Sequence, residues 1–149
     1  MTSPAQTALR TLELERAGIA ALEAQLAAPD GLGPRFDAAV ETLLAVTGRI
    51  IVSGMGKSGH IARKIAATFS STGTPAYFVH PAEASHGDMG AIARQDLLLL
   101  LSWGGETAEL SDLLTYAKRH RIPIVAIGAN PDSTLIKDRK STRLNSSHT

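Results

Sequence analysis

The sequence predicts an α/β fold, a doubly wound parallel sheet with helices on both faces, preceded by N-terminal helices. Two observations carry that expectation. Four short apolar runs (RIIVS, AYFV, DLLLLLS and IPIVAI) are separated by stretches with helical periodicity. A glycine-rich segment, SGMGKSGH at 53–60, follows the first run, where a strand turns into a helix.

The elements are justified in order. Residues 5–28 favour helix: Leu9, Leu12, Ile19, Leu22 and Leu26 recur at three- to four-residue steps and alanine is abundant. Pro29-Asp30-Gly31 ends it. A second helix is expected over about 34–46, with Pro34 in the first turn and Phe36, Val40, Leu43 and Leu44 on one face. These two helices are expected to pack on the sheet or on a second subunit. Residues 49–53 read as a buried strand. A helix follows over about 58–71, with Ile61, Ile65 and Phe69 as its apolar face, then a turn at Gly73-Thr74-Pro75 and a strand at 76–79. Residues 80–91, HPAEASHGDMGA, form loop or short helix. A third strand at 96–102, a helix at 106–120 burying Leu110, Leu113, Leu114 and Ala117, a fourth strand at 122–127 and a loop at 128–132 complete the pattern. The organisation is thus a helical segment (1–48), a sheet-forming domain (49–136) and a tail (137–149). The tail is polar and without an apolar face, and KSTRLNSSH resembles translated linker sequence; it is expected to be foreign and disordered.

Composition excludes several function classes. The net charge is +1, but Lys137, Arg139, Lys140 and Arg143 against Asp138 give the tail +3, so residues 1–136 carry −2. The body therefore offers no basic surface for nucleic acid or an anionic membrane. There are 0 cysteines, hence no disulfide, thiolate metal site or thiol nucleophile. No apolar run approaches the roughly 20 residues of a membrane span, and MTSPAQTALRTLELERAG lacks the apolar core of a signal peptide. A soluble cytoplasmic protein is expected.

The glycine segment admits several readings. A P-loop requires G-x-x-x-x-G-K-[ST]; Gly56-Lys57-Ser58 supply its end, but its first glycine would fall at Ile51, inside the strand. A dinucleotide fingerprint is matched by Gly54, Gly56 and Gly59, yet the acid needed after the second strand is replaced by His80-Pro81, with Glu83 the nearest carboxylate. A sugar-phosphate grip needs only glycines that let the backbone approach an anion, amides at the start of the Ser58 helix, the Ser58 hydroxyl and the Lys57 charge. The plain structural alternative is a tight turn with a solvated lysine.

Two further loops share the rim. Ser102-Trp103-Gly104-Gly105-Glu106-Thr107 is either the other half of a phosphate cradle or a helix cap. Glu106 and Glu109, three apart, would share a helical face, one of them available as a general base. The loop at 80–90 holds His80, Glu83, His86 and Asp88, suited to acid–base or hydroxyl-binding roles; its His-x₅-His spacing is not a zinc signature. His60, at a helix start, is read as structural.

SGMGKSGHIARKIAATFSSTGTPAYFVHPAEASHGDMG, continued by DLLLLLSWGGETAEL and IPIVAIGANPDSTL, closely resembles the sugar isomerase (SIS) domain of bacterial arabinose-5-phosphate isomerases over about residues 8–136. The resemblance implies an SIS-type, flavodoxin-like three-layer sandwich, here incomplete. It implies interconversion of arabinose 5-phosphate and ribulose 5-phosphate on the way to the Kdo sugar of lipopolysaccharide, and a tetramer with a CBS pair after the SIS domain. By position, Lys57 and Glu109 match the family's catalytic lysine and glutamate. Gly54, Gly56, Ser58, Ser102, Glu106 and Thr107 fall on its phosphate-gripping turns, and Gly73, Thr74, His80 and His86 match substrate contacts. His80 also matches a position that takes zinc in a family that requires no metal, so any zinc is incidental or inhibitory. The chain departs from the family at Ser102-Trp103-Gly104-Gly105-Glu106, where S-N-S-G-E is usual. It also stops before the family's second glutamate and its histidine, so it is expected to be a fragment with impaired or no activity. A non-catalytic SIS regulator that binds a sugar phosphate is the alternative, made less apt by the 48 leading residues, too few for a DNA-binding domain.

Overall fold

The computed structural model describes residues 2–137 and 141–145. Helix α1 (Pro4–Ala27) starts with a capping box: Ser3 Oγ accepts from the Gln6 amide at 3.2 Å, and Gln6 Oε1 accepts from the Ser3 amide at 2.8 Å. None of its residues is buried; Leu9, Leu12, Leu14 and Ile19 are each about two-thirds exposed. The chain turns where the Leu32 amide donates to the Gln25 carbonyl, and α2 (Gly33–Leu44) buries Ala39 against the sheet.

Five strands form one parallel sheet: β1 (Ile50–Gly54), β2 (Ala76–Phe78), β3 (Leu97–Leu101), β4 (Ile124–Gly128) and β5 (Ser141–Asn145), in the spatial order β2-β1-β3-β4-β5. This is the flavodoxin-like order, with its switch point between β1 and β3. The helices between them are α3 (Gly56–Ser71), the short α4 (Pro81–Ser85) followed by a 3-10 turn (Asp88–Ala91), α5 (Leu110–His120) and α6 (Thr134–Lys137).

Side-chain alternation sorts the core into two layers. Ile51, Leu98, Leu100, Ile124 and Ala126 pack with Ala84 of α4, Leu110, Leu113, Leu114 and Ala117 of α5, and Leu135 and Ile136 of α6. Ile50, Val52, Leu97, Leu99, Leu101 and Val125 face the other way, onto Ala39 of α2 and Ala62 and Ala66 of α3. The LLLLL run shows why burial decides. Leucine favours helix, but a five-residue helix gains little stability by itself. Burial of each side chain is worth about 2 kcal/mol, more than the total spread of about 1 kcal/mol in strand propensity. Among the described residues no helix is long and apolar enough to cross a membrane.

The expected strands and helices are present, with three differences. Helix α5 starts at Leu110, not 106, because residues 107–109 form turns in which the Leu110 and Ser111 amides reach back to the Thr107 and Ala108 carbonyls. After the loop expected at 128–132, the chain forms a short helix not expected from the sequence, α6. The tail expected to be disordered contributes Lys137 to α6 and Ser141–Asn145 to a fifth strand parallel to β4. An edge strand is held by backbone hydrogen bonds on one side and needs no continuous apolar run, which is why periodicity missed it. The rest of that tail, 138–140 and 146–149, lies outside the described residues.

The strand starts are tied by Asp96, 1% exposed. Its carboxylate accepts from the Arg49 amide at 2.8 Å, the Ala93 amide at 2.9 Å and the Arg49 guanidinium at 3.0 Å. Burial by itself would push this carboxyl up; the hydrogen bonds from Arg49 and the Ala93 and Arg49 amides prevail and hold it below the ordinary aspartate range. Its stabilising effect is therefore complete above the unfolded-state value of about 4 and is lost as pH falls through the lower folded value. Replacing Asp96 with Asn is expected to cost about 2–3 kcal/mol in urea unfolding at pH 7, toward the low side for a broken pair because Arg49 keeps contact with water. The loss is expected to shrink at acid pH.

Candidate functional site

The site begins with how α3 meets the sheet. A Cβ on Gly59 would stand 2.6 Å from the Gly54 carbonyl oxygen, and one on Gly54 would stand 2.9 Å from the Leu101 carbonyl oxygen and 3.0 Å from the Ser58 backbone. Only glycine at both positions lets the first turn of α3 lie against β1 and β3. Gly56 has a φ of +58°, the left-handed region that glycine enters without steric cost. Met55 is the N-cap residue and makes no side-chain cap; the helical ladder opens with the Gly59 amide donating to the Met55 carbonyl. The preceding amides, of Gly56, Lys57 and Ser58, are the orphan donors of a 16-residue helix, at its positive end. Lys57 is exposed and Ser58 half-buried.

The second rim turn, 102–107, is tied to the fold by its own polar groups. Ser102 Oγ accepts from the Gly105 amide at 3.0 Å and pairs with Thr107 Oγ1 at 2.7 Å. Glu106 does not face the cleft. Its carboxylate accepts from the Thr134 amide at 2.6 Å and the Thr134 hydroxyl at 2.7 Å, capping α6, and these bonds hold its carboxyl below the ordinary range. The Leu135 amide donates to the Gly105 carbonyl, and a Cβ on Gly105 would run into the Ser133 hydroxyl. Glu109 is exposed at the residue before α5. Because 107–109 are turns, Glu106 and Glu109 do not share the helical face that their spacing implied.

The third loop starts at the end of β2. Ser53 Oγ donates to the Val79 carbonyl at 2.7 Å, fixing the loop's root to β1. His80 caps α4, its Nδ1 accepting from the Ala82 amide at 3.3 Å, and its ring meets Phe78 edge-on at 6.3 Å. His86 is exposed at the other end of α4. Among the described residues no three His, Cys, Asp or Glu side chains converge as a metal site would require.

A cavity of about 570 Å³ opens between the first turns of α3 and the ends of β3 and β4, well within the size range of small-ligand pockets. Lys57, Ser58 and Ser102 give it a polar side; Ile61, Leu101, Ile127 and Trp103 give it an apolar one. It thus lies at the carboxyl ends of the strands, the end at which such sheets bind ligands, beside the β1–β3 switch point rather than on it.

Several sequence expectations are revised here. Gly73 and Thr74 do not join this rim. They follow the far end of α3 and precede β2, placing them at the opposite edge of the sheet, a helix length of about 24 Å away. His60, read as structural, is exposed on α3. Thr134, which holds Glu106, was not singled out; the signal was Asn130-Pro131-Asp132-Ser133-Thr134, a run of turn- and cap-forming residues before Leu135.

Residues 43–144 match the SIS domain family model. The chain is 51% identical over 131 residues to the arabinose 5-phosphate isomerase KdsD of Pseudomonas aeruginosa, covering 88% of this chain and 38% of that protein. To the protein of the same name from Yersinia pestis it is 46% identical over 132 residues, 89% of this chain and 38% of the relative. The chain therefore spans about two-fifths of the length of these curated relatives. Among solved structures, an Escherichia coli CFT073 protein in complex with A5P superposes with a TM-score of 0.80 at 33% identity, covering 98% of this chain and 77% of that one. A Bacteroides fragilis protein described as a putative phosphosugar isomerase involved in capsule formation gives a TM-score of 0.84 at 34% identity, over 98% and 74%.

The glycine contact gives a prediction of sign. Glycine-to-alanine changes inside helices ordinarily stabilise by up to about 1 kcal/mol. Gly59→Ala is expected to destabilise by about 1–3 kcal/mol in chemical denaturation, because its methyl meets backbone that cannot rotate away.

Proposed function

The chain belongs to the SIS domain family, and from that premise we propose that this rim seats a pentose 5-phosphate for aldose–ketose isomerisation between arabinose 5-phosphate and ribulose 5-phosphate. The observation that carries the reading is the uncapped start of α3 opening beside Lys57 and Ser58 at a cavity at the carboxyl ends of the strands. A phosphate there is met by backbone donors, a hydroxyl and the positive end of a helix dipole, a combination suited to a dianion and indifferent to sugar identity. The names of the relatives and the A5P complex of a 33%-identical neighbour supply the sugar.

In the reaction, a base removes the proton from C2 of the open-chain aldose. The electrons form an enediolate; a proton returned to C1 and the transfer of the O2 proton to O1 complete the ketose. We assign the base to Glu109 and stabilisation of the developing oxyanion to the Lys57 ammonium. We assign contacts with the sugar hydroxyls to His80 and His86, on the loop after β2. Ser102 and Thr107 act as a prearranged turn behind the phosphate, with Gly54 and Gly56 shaping the backbone around it. Phosphate binding, remote from the reacting carbons, provides the energy that orients them.

The chain is expected to bind arabinose 5-phosphate in isothermal titration calorimetry. Lys57→Ala is expected to weaken that binding at least tenfold, the size of a lost charged hydrogen bond of about 1.5–3 kcal/mol. Unchanged affinity in the variant removes Lys57 from the site.

We further propose that a second copy of the chain covers α1. Its apolar residues Leu9, Leu12, Leu14 and Ile19 find no burial within the chain, and a helix with an apolar stripe gains its stability by packing. The chain is expected to sediment as a dimer or larger, and the double change Leu12→Glu, Ile19→Glu to yield monomer with the sheet domain still folded.

A further inference from the structure

Trp103 is the chain's 1 tryptophan. It stands at the tip of the second rim turn, 62% exposed, yet it lines the same cavity as Lys57 and Ser58. Its backbone is fixed, since its carbonyl accepts from the Ala129 amide at 3.0 Å. Neighbouring wall residues Ile61, Leu101 and Ile127 are apolar, so the side of the cavity away from the amides offers surface rather than hydrogen bonds. That is a poor match for a fully extended polyol, every carbon of which carries a hydroxyl that would lose water against it.

A closed sugar ring fits better. Ring C–H groups carry slight positive charge and lie in a plane, and the face of an indole is negative. The two proposed substrates differ in this respect by their covalent chemistry. An aldose phosphorylated on O5 closes on itself through O4 to a five-membered ring. The corresponding 2-ketose, with O5 esterified, has no hydroxyl that closes an unstrained ring and stays open.

We propose that Trp103 is a specificity-determining residue that stacks on the furanose face of the aldose phosphate, so that this cavity holds the ring form of the aldose in preference to the open-chain ketose. The proposal rests on the pentose-phosphate reading above and adds a direction to it. An aromatic contact of this kind is worth about three- to tenfold in affinity. Trp103 is mostly exposed among the described residues, so its replacement tests binding rather than folding.

The test uses the whole chain and three probes: inorganic phosphate, arabinose 5-phosphate and ribulose 5-phosphate. As the sole tryptophan, Trp103 reports directly by its emission. Arabinose 5-phosphate is expected to change that emission, and inorganic phosphate, bound at the amide end, to leave it unaltered. Calorimetry is expected to give the aldose about three- to tenfold tighter binding than the ketose. Trp103→Ala is expected to abolish the preference by weakening the aldose alone, and Trp103→Phe to retain part of it. Equal affinities in the unmodified chain, or a preference that survives Trp103→Ala, overturn the proposal while leaving the pentose-phosphate site standing. Absence of binding by either sugar phosphate overturns both.

Discussion

The architecture of the rim depends on one close approach, the first turn of α3 laid directly on the backbone of β1. With the Gly59 Cα facing the Gly54 carbonyl, no side chain fits between helix and strand. This packing fixes where α3 starts and which way its axis points. It therefore fixes where the Gly56, Lys57 and Ser58 amides emerge, and the polar side of the cavity follows from a steric requirement. The glycine spacing that a motif reader takes for a nucleotide fingerprint is here a helix–strand contact first. Its capacity to face an anion is a consequence, and the same geometry serves any fold that begins a long helix at a strand end.

A parallel sheet has two unlike ends, and this chain treats them differently. At the strand starts, Asp96 gathers the Arg49 and Ala93 amides and the Arg49 guanidinium, closing that edge with a buried charge fully supplied with donors. At the strand ends the donors of α3 have no capping side chain, and the cavity opens there. Among the described residues, polar closure at one end and uncapped helix donors at the other make the two ends of the sheet unlike, and the order reversal between β1 and β3 marks the end with the donors as the one where such sheets bind ligands.

Much of this was legible in the sequence because it rests on local signals. Four apolar runs became four strands, most clearly β1, β3 and β4, where side chains buried on both faces leave no polar positions to confuse the pattern. What was not legible depends on contacts distant in the chain. Glu106 looked like a ligand-facing acid or a first-turn residue of α5; Thr134, 28 positions later, turned it into the cap of another helix. Gly73 and Thr74 lie near the glycine segment in sequence, but α3 carries the chain to the opposite edge of the sheet. The fifth strand is held through its backbone pairing to β4, which no side-chain pattern announces.

The second rim turn separates what the fold holds from what a ligand is free to use. Ser102 and Thr107 spend hydroxyl contacts on each other and on the Gly105 amide. Gly105 must lack a side chain to clear Ser133, and Glu106 must reach Thr134. Between these fixed points stand Trp103 and Gly104. A Cβ on Gly104 would meet nothing within 4 Å, and Trp103 is exposed and lines the cavity. The fold thus constrains both ends of the turn and leaves its tip unconstrained. A change at the tip alters the cavity surface without disturbing the helix cap, the hydroxyl pair or the amides that open α3. On the proposed reading, in which backbone amides grip the anion, selectivity among phosphorylated sugars has to come from such a position, because the backbone donors are the same for all of them.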